Sequence, residues 1–482
     1  MSAECWPYVR TGGLGEAVAA LAAHQAAHAP VAVVVPLYRK ARQSLDALGV
    51  ELVPASDVLP LAVGSWRPET QLYRPSAALP GTPDLVFVRC DEAFDRAGIY
   101  GEGAVDFADN ARRFAVLCHA ALHALRGRAG GTPAILHAHD WHAGLALLYL
   151  RTTYAHDPAL RGVASVLTVH NAAFQQHLSA EDVGALDLPA ELYDWRCLEW
   201  YGRANLLKGA LAVADHVTTV SPTHAEELCT SLGGFGLHDA FTALGERLVG
   251  IRNGIDLTCW DPRTDVELPM RYGPDALDGK RVCKAALQKA MGLAIEPAVP
   301  LIAVCARLDR QKGFDLLLSA GVLERPDVQV VVLGEGETRY ADALHARADA
   351  APDRVAVCTR FSDAAERRLL AGADLALVPS VYEPCGLAQL RAQRYGALPV
   401  AHRVGGLADT IIDGVNGILF ATHTRDALDD GIARALNAYR VPSHWHTIVG
   451  TTMRADVGWM APASEYARVY RAALASRVAM SR

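Results

Sequence analysis

Leu301-Ile302-Ala303-Val304-Cys305 runs directly into Ala306-Arg307-Leu308-Asp309-Arg310-Gln311-Lys312-Gly313, and then into Phe314-Asp315-Leu316-Leu317. An unbroken apolar run, a cation-rich turn and a helix-like stretch are what a strand buried on both faces looks like as it feeds a crossover helix. A half-buried antiparallel strand would alternate apolar and polar residues instead. The same order recurs downstream at Val328–Leu333, Val355–Val357, Leu375–Val378 and Leu398–Ala401. Upstream, Val31–Val35, Leu85–Val88, Ala134–His137 and Ser165–Val169 form a separate set. The pattern predicts two doubly wound α/β domains with parallel sheets. The architecture repeats, but the sequence does not.

The boundary is expected near residues 246–256, around Leu-Val-Gly-Ile-Arg-Asn-Gly-Ile-Asp, giving domains 1–245 and 246–455. Residues 456–482 are helical in pattern and are expected to pack back on the first domain. A chain of 482 residues fits two such domains. Hydrophobic residues make up 51% and charged residues 21%, as in a globular enzyme with large cores. A net charge of −7 gives no broad footprint for nucleic acid, although an anionic substrate would still need a local basic patch. The opening Met-Ser-Ala-Glu-Cys-Trp-Pro-Tyr lacks the pattern of a secretory signal, and no apolar run reaches the length of a membrane span. Ten scattered cysteines, several in or beside apolar runs, read as reduced thiols and a cytoplasmic location.

Ligands of doubly wound sheets bind beyond the carboxyl ends of the strands, so residues that follow strands are the candidates. Arg10-Thr11-Gly12-Gly13-Leu14-Gly15-Glu16 opens a helix with a glycine pair, which lets backbone N–H groups approach an anion. His137-Ala138-His139-Asp140-Trp141-His142 is expected just past a strand. It reads as a metal site, as a sugar site in which Asp and His bond hydroxyls and Trp stacks on a pyranose, or as a satisfied polar cluster. Its histidine spacing matches His-x-His-x-Asp-His, but the Asp comes one position early. His170-Asn171 follows the next strand. Arg307 and Lys312 would suit a leaving diphosphate, Arg as a planar fork and Lys as a point charge. Glu383-Pro384-Cys385-Gly386-Leu387 and Gly405-Gly406-Leu407-Ala408-Asp409-Thr410 repeat the plan of strand, glycine and helix. Gly334-Glu335-Gly336 lacks the rest of a dinucleotide fingerprint.

Taken in order, these motifs resemble the bacterial glycogen synthase and plant starch synthase family, retaining glucosyltransferases of the GT-B fold. The resemblance also takes in Leu198–Leu211, Val220–Leu228, Gly250–Asp256 with Trp260-Asp261-Pro262, and the tail from Met453 to Tyr470. It implies two Rossmann-like domains facing across a cleft that closes to exclude water. The implied donor is ADP-glucose or UDP-glucose, with the bacterial motif set leaning to ADP-glucose. The implied acceptor is the non-reducing end of an α-1,4-glucan, with no metal or other cofactor and no membrane or nucleic-acid partner. By the same resemblance, Arg307 and Lys312 neutralise the diphosphate and Glu383 orients the glucose hydroxyls. The His170 backbone faces the anomeric carbon, and Asp140, Trp141 and His142 line the glucose and acceptor side. Arg10, Gly12, Gly13 and Glu16 reach the donor from the first domain. Asn253 lies at the hinge, while Cys385, Gly386, Leu387, Gly405, Gly406 and Thr410 line the donor side.

The chain departs from the family pattern in three places. Arg10 stands for the usual Lys, Glu16 for the usual Asp, and the strand that normally precedes Ser2-Ala3-Glu4 is missing. The last implies a late start or a weakened first domain. Arg391 sits eight positions after Glu383, where many related enzymes carry a second Glu. Two other readings are a catalytically weak binding homologue and a metal-dependent hydrolase built on residues 137–142.

Overall fold

The computed structural model describes residues 1–78, 82–103, 105–128 and 134–480. The chain divides into one unit of Met1–Ile251 with Trp459–Arg482 and another of Arg252–Gly458; residues 481–482 lie outside the described residues.

The N-terminal unit opens with α1 (Gly13–Ala26) and β1 (Ala32–Pro36). Strands β2 (Leu52–Pro54), β3 (Gln71–Pro75) and β4 (Asp84–Arg89) join β1 in the order β1-β4-β3-β2. Only β1 and β4 run parallel. The outer half of this sheet is therefore antiparallel, contrary to the expectation of wholly parallel sheets. Its strands follow one another through loops rather than crossover helices.

Helix α2 (Asn110–Arg126) leads to β5 (Ile135–His139), which passes without a loop into α3 (Asp140–Arg151). Strand β6 (Ala164–Val169) precedes a small antiparallel sheet of β7 (His177–Leu178), β8 (Glu199–Trp200) and β9 (Arg203–Asn205). Helix α4 (Leu206–Val213) follows, then β10 (His216–Thr219) and β11 (Leu248–Gly250). Strands β5, β6, β10 and β11 form a parallel sheet in the order β11-β10-β6-β5. One expectation shifts here. The ladder with β6 carries β5 through to His139, two residues beyond the expected end at His137, so the motif starts inside the strand rather than past it. The two units divide at 251/252, since Leu248–Gly250 pairs with β10 as the edge of this sheet. Met1 and Ser2 touch both sheets of the unit. Met1 N donates to the His137 carbonyl (2.9 Å), Met1 O accepts from His139 N (3.2 Å), and Ser2 N donates to the Val34 carbonyl (3.1 Å).

The C-terminal unit holds β12 (Leu301–Cys305), α5 (Phe314–Ser319), β13 (Gln329–Leu333), β14 (Val355–Cys358), β15 (Leu375–Val378), α6 (Ala388–Arg394), β16 (Leu398–His402), α7 (Gly405–Thr410) and β17 (Ile418–Phe420). All six strands are parallel, in the order β14-β13-β12-β15-β16-β17. The winding reverses between β12 and β15. Loops leaving such a pair diverge and open a crevice at their carboxyl ends.

The last helix, α8 (Met460–Met480), belongs to the N-terminal unit. Tyr466, Val469 and Ala473 bury against Ala17, Leu21, Val166 and Ile251.

Candidate active site

In the C-terminal unit the switch point is where the expected charges meet. Gly313, in the left-handed region at φ 78°, turns the loop after β12 back beside Pro379, where a Cβ would lie 1.8 Å from the Pro379 carbonyl oxygen. Only glycine permits that approach. Val381 N then donates to the Gln311 carbonyl (2.8 Å), which ties the loop after β15 to the loop after β12. The result is an ion pair between half-buried Lys312 and buried Glu383, Nζ to Oε2 at 2.6 Å, with Ser380 Oγ donating to the same oxygen at 2.9 Å. Lys312 N caps on Asp309 Oδ1 (2.9 Å), and Arg307 reaches Asp309 at 3.3 Å with most of its side chain exposed.

The glycine-rich helix starts lie alongside. Gly406 N donates to the Glu383 carbonyl (3.0 Å), and a Cβ at Gly406 would meet the Cys385 carbonyl at 2.0 Å. Gly386 adopts φ 71° before Leu387, the residue that caps α6. Gln389 Nε2 bridges the Cys385 carbonyl and Thr410 Oγ1, and Thr410 Oγ1 donates to the Gly406 carbonyl (2.6 Å). Burial pushes the Cys385 thiol up to about 12, so it is no nucleophile. The Asn253 backbone bonds that thiol, while the buried Asn253 Oδ1 has no partner among the described residues. Arg391 takes no part. Its guanidinium pairs with Glu366 at 2.8 and 2.9 Å and lies 4.3 Å over the Trp260 ring.

In the N-terminal unit the junction of β5 and α3 is strained. Asp140 sits at φ 58°, uncommon for a residue with a side chain. That conformation aims its carboxylate at the end of β6, where Oδ1 accepts from His170 N at 2.7 Å and the Asn171 backbone adds a second bond. Burial raises the Asp140 carboxyl to about 7, against the pull of those two N–H groups. His139 Nδ1 and His170 Nε2 are 2.9 Å apart. Burial drives His170 down to about 3 and lowers His139 as well, so the pair is neutral, with one ring donating to the other.

The remaining members of the 137–142 stretch face elsewhere. His137 is bonded on both nitrogens, to Thr168 Oγ1 (2.7 Å) and Tyr470 Oη (2.8 Å). Trp141 is buried edge-on against Phe114, so its ring is part of the core rather than an open stacking face. His142 packs on Phe114 and Tyr100, and burial takes it down to about 3. Among the described residues no group of three or more His, Cys, Asp or Glu is arranged to hold a metal.

Arg10 pairs with Glu16 across the glycine turn, and Gly12 and Gly13 start α1 beside them. Two further residues are not among the sequence candidates, although Glu4 belongs to the Ser2-Ala3-Glu4 stretch of the family pattern. Glu4 accepts from Thr11 N (2.7 Å), Thr11 Oγ1 (2.6 Å) and Tyr100 Oη (2.6 Å), which fixes the loop carrying Arg10. Glu4 and Tyr100 are 96 positions apart and neither stands in a strand-end motif.

Residues 1–243 match the family described as the starch synthase catalytic domain, and residues 292–447 match glycosyl transferases group 1. The chain is 40% identical over 485 residues to a glycogen synthase of Anaeromyxobacter dehalogenans, covering 98% of each protein. It is 38% identical to glycogen synthase 2 of Geobacter sulfurreducens, covering 99% of each. The chain belongs to the starch synthase catalytic domain family. It is a glycosyltransferase of the glycogen and starch synthase type, with the GT-B fold. The solved catalytic domain of starch synthase IV from Arabidopsis thaliana, bound to ADP and acarbose, superposes with a TM-score of 0.89 at 29% identity, covering 98% of both chains. Sucrose-phosphate synthase from Thermosynechococcus elongatus, at 19% identity and TM-score 0.57 over 97% of this chain and 94% of its own, shares the fold. No helix among the described residues of this synthase is long and apolar enough to cross a membrane.

Proposed function

We propose that this synthase takes glucose from ADP-glucose and adds it to the non-reducing end of an α-1,4-glucan with retention of configuration. The observation that carries the reading is the Lys312–Glu383 pair at the switch point of the C-terminal sheet, with Arg307 on the same loop as Lys312. Breaking the bond between the sugar C1 and the diphosphate leaves negative charge on the diphosphate. Lys312 and Arg307 are the cations placed to meet it, and fixed charges in a partly dry site stabilise such a change more than water does. Glu383, held by Lys312 and Ser380, presents its carboxylate to the glucose hydroxyls. The unpartnered Asn253 Oδ1 and the backbone of residues 385–387 and 405–406 complete the donor side in this reading.

Asp140 acts by holding the backbone at His170, which in this reading faces the positive charge that develops at C1. Arg10, Gly12 and Gly13 reach the donor phosphates, with Glu16 orienting Arg10. The reaction belongs in the cytoplasm, a placement supported by ten cysteines none of which is in a disulfide. The relative bound to ADP supports the choice of nucleotide.

The test is incorporation of labelled glucose into glycogen from ADP-glucose and UDP-glucose in parallel, with EDTA present. Faster incorporation from ADP-glucose is expected. Preference for UDP-glucose would overturn the donor, and loss of activity in EDTA would overturn a metal-free mechanism.

A further inference from the structure

The ladder between β15 and β16 stops at Val378 and Ala401. Beyond it the chain runs through Pro379 and Ser380 to Glu383, and both Pro379 and Ser380 are buried. Buried carbonyls require donors, and here no strand supplies them. Two imidazoles do. The Pro379 carbonyl accepts from His423 Nε2 at 2.9 Å, and the Ser380 carbonyl accepts from His402 Nδ1 at 2.8 Å. Val381 N donates to the Gln311 carbonyl, and the Tyr382 carbonyl accepts from Gln311 Nε2 at 3.4 Å. The Glu383 carbonyl accepts from Gly406 N. Residues 379–383 therefore take these partners from other segments of the chain, and their shape is imposed from outside.

The C-terminal sheet places both histidines for this task. His402 is the last residue of β16, in register with Phe420 of β17 and stacked on its ring at 5.4 Å. His423 lies between β17 and the helix Arg425–Tyr439, with its ring 5.2 Å from that of His402. A carbonyl oxygen only accepts, so each ring must donate. His402 then carries a proton on Nδ1 and His423 carries one on Nε2, opposite assignments set by the bonds each ring makes.

Both bonds bear on the candidate site. The Pro379 carbonyl is the oxygen against which Gly313 turns, and Ser380 is the residue whose Oγ donates to Glu383 Oε2. A shift of either carbonyl moves Ser380 and Glu383 relative to Lys312. We propose that His402 and His423 are positioning residues of the donor site, which set the Glu383 carboxylate for the sugar. The proposal rests on the reading given above, in which Glu383 meets the glucose hydroxyls while Arg307 and Lys312 meet the diphosphate. Loosening residues 379–383 therefore weakens recognition of the sugar more than that of the nucleotide.

The experiment titrates the full-length protein calorimetrically with ADP-glucose and with ADP, in the absence of acceptor. His423→Ala removes one donor, and His423→Gln puts an amide N–H where Nε2 stood. His423→Ala should bind ADP-glucose about tenfold more weakly than wild type and ADP within about threefold of it. His423→Gln should stay within about threefold for both ligands. His402→Phe keeps the stack on Phe420, removes the other donor, and should show the same loss confined to the sugar nucleotide. In nitrogen-resolved spectra of histidine-labelled wild type, the signal lost in His423→Ala should come from an Nε2–H ring and the signal lost in His402→Phe from an Nδ1–H ring. Unchanged affinity in His423→Ala, equal losses for the two ligands, or a loss in His423→Gln as large as in His423→Ala overturns the proposal. So does the opposite assignment of the ring protons. Should His402→Phe fail to fold, the His423 pair decides alone. Binding needs no catalysis, so a wild type that binds both ligands but incorporates no glucose overturns the transferase reading alone. One that binds neither overturns the donor site and the positioning role with it.

Discussion

Lys312 serves two purposes, and the two must be separated before its role can be measured. It neutralises the buried Glu383 carboxylate at 2.6 Å, and it is the cation proposed to meet the leaving diphosphate. Lys312→Ala would strand a buried carboxylate, at a cost of about 3–5 kcal/mol for breaking such a pair. Lys312→Gln keeps a donor for Glu383 and removes only the charge. Its turnover should fall about 10²–10³-fold with a small change in melting temperature; turnover within threefold of wild type would remove Lys312 from the chemistry. Asp140 is separable by pH. Its carboxyl titrates at about 7 in the fold against 3.8 unfolded, so ionisation opposes folding. The penalty is absent below about pH 4, grows as pH rises, and levels off above about pH 7. Asp140→Asn keeps an acceptor for His170 N and tolerates the left-handed backbone. It should therefore be more stable than wild type at pH 8, by a margin on the order of a few kcal/mol, and equal to it near pH 4. Urea unfolding at several pH values tests the sign, and a variant less stable at pH 8 would contradict it.

At the scale of elements, the loops after β12 and β15 form the site only because Gly313 lets them meet. Gly313→Ala would place a methyl 1.8 Å from the Pro379 carbonyl oxygen and hold alanine at φ 78°. A loss of about 2–5 kcal/mol is expected, with donor turnover falling along with it; a variant of unchanged midpoint would mean that the loops are not locked. These elements were legible in the sequence because buried parallel strands are written as unbroken β-branched runs. Val330, Val331 and Val332 have no polar alternate to hide them. The strand-end positions of Lys312, Glu383 and His170 followed from the same runs. What escaped was set by pairing between distant segments. Strands β7 to β9 have two or three residues each, too few for any periodicity, and their register comes from Asn205 pairing back to His177. His139 read as loop because it is polar, yet the β6 ladder makes it strand. Trp141 invited a stacking role by its type alone, and Phe114, 27 positions earlier, claims its ring.

At the scale of the whole molecule, the two units differ in kind. The C-terminal unit is one continuous segment, and its apolar clusters draw only on residues 255–457. The N-terminal unit is discontinuous, because Trp459, Tyr466, Val469 and Ala473 complete a cluster with residues from α1, β6 and Ile251. Tyr470 adds a polar tie, accepting from Gln25 Nε2 at 2.7 Å while bonded to His137 at 2.8 Å. The two halves should therefore respond differently when cut apart. Residues 252–458 carry Asn253, Arg307, Lys312, Glu383 and the glycine turns, which is every group assigned to the donor on that side. Expressed alone, this segment should unfold cooperatively and bind ADP within about tenfold of the full chain, since its own core holds the switch point together. Residues 1–251 alone should not unfold cooperatively, because the face of α1 and β6 that α8 covers would be bare. Calorimetric titration with ADP and urea melts of both fragments decide the matter. If 252–458 binds no ADP although it is folded, the nucleotide's affinity depends on Arg10 and the glycine pair, and the donor site cannot be assigned to one unit.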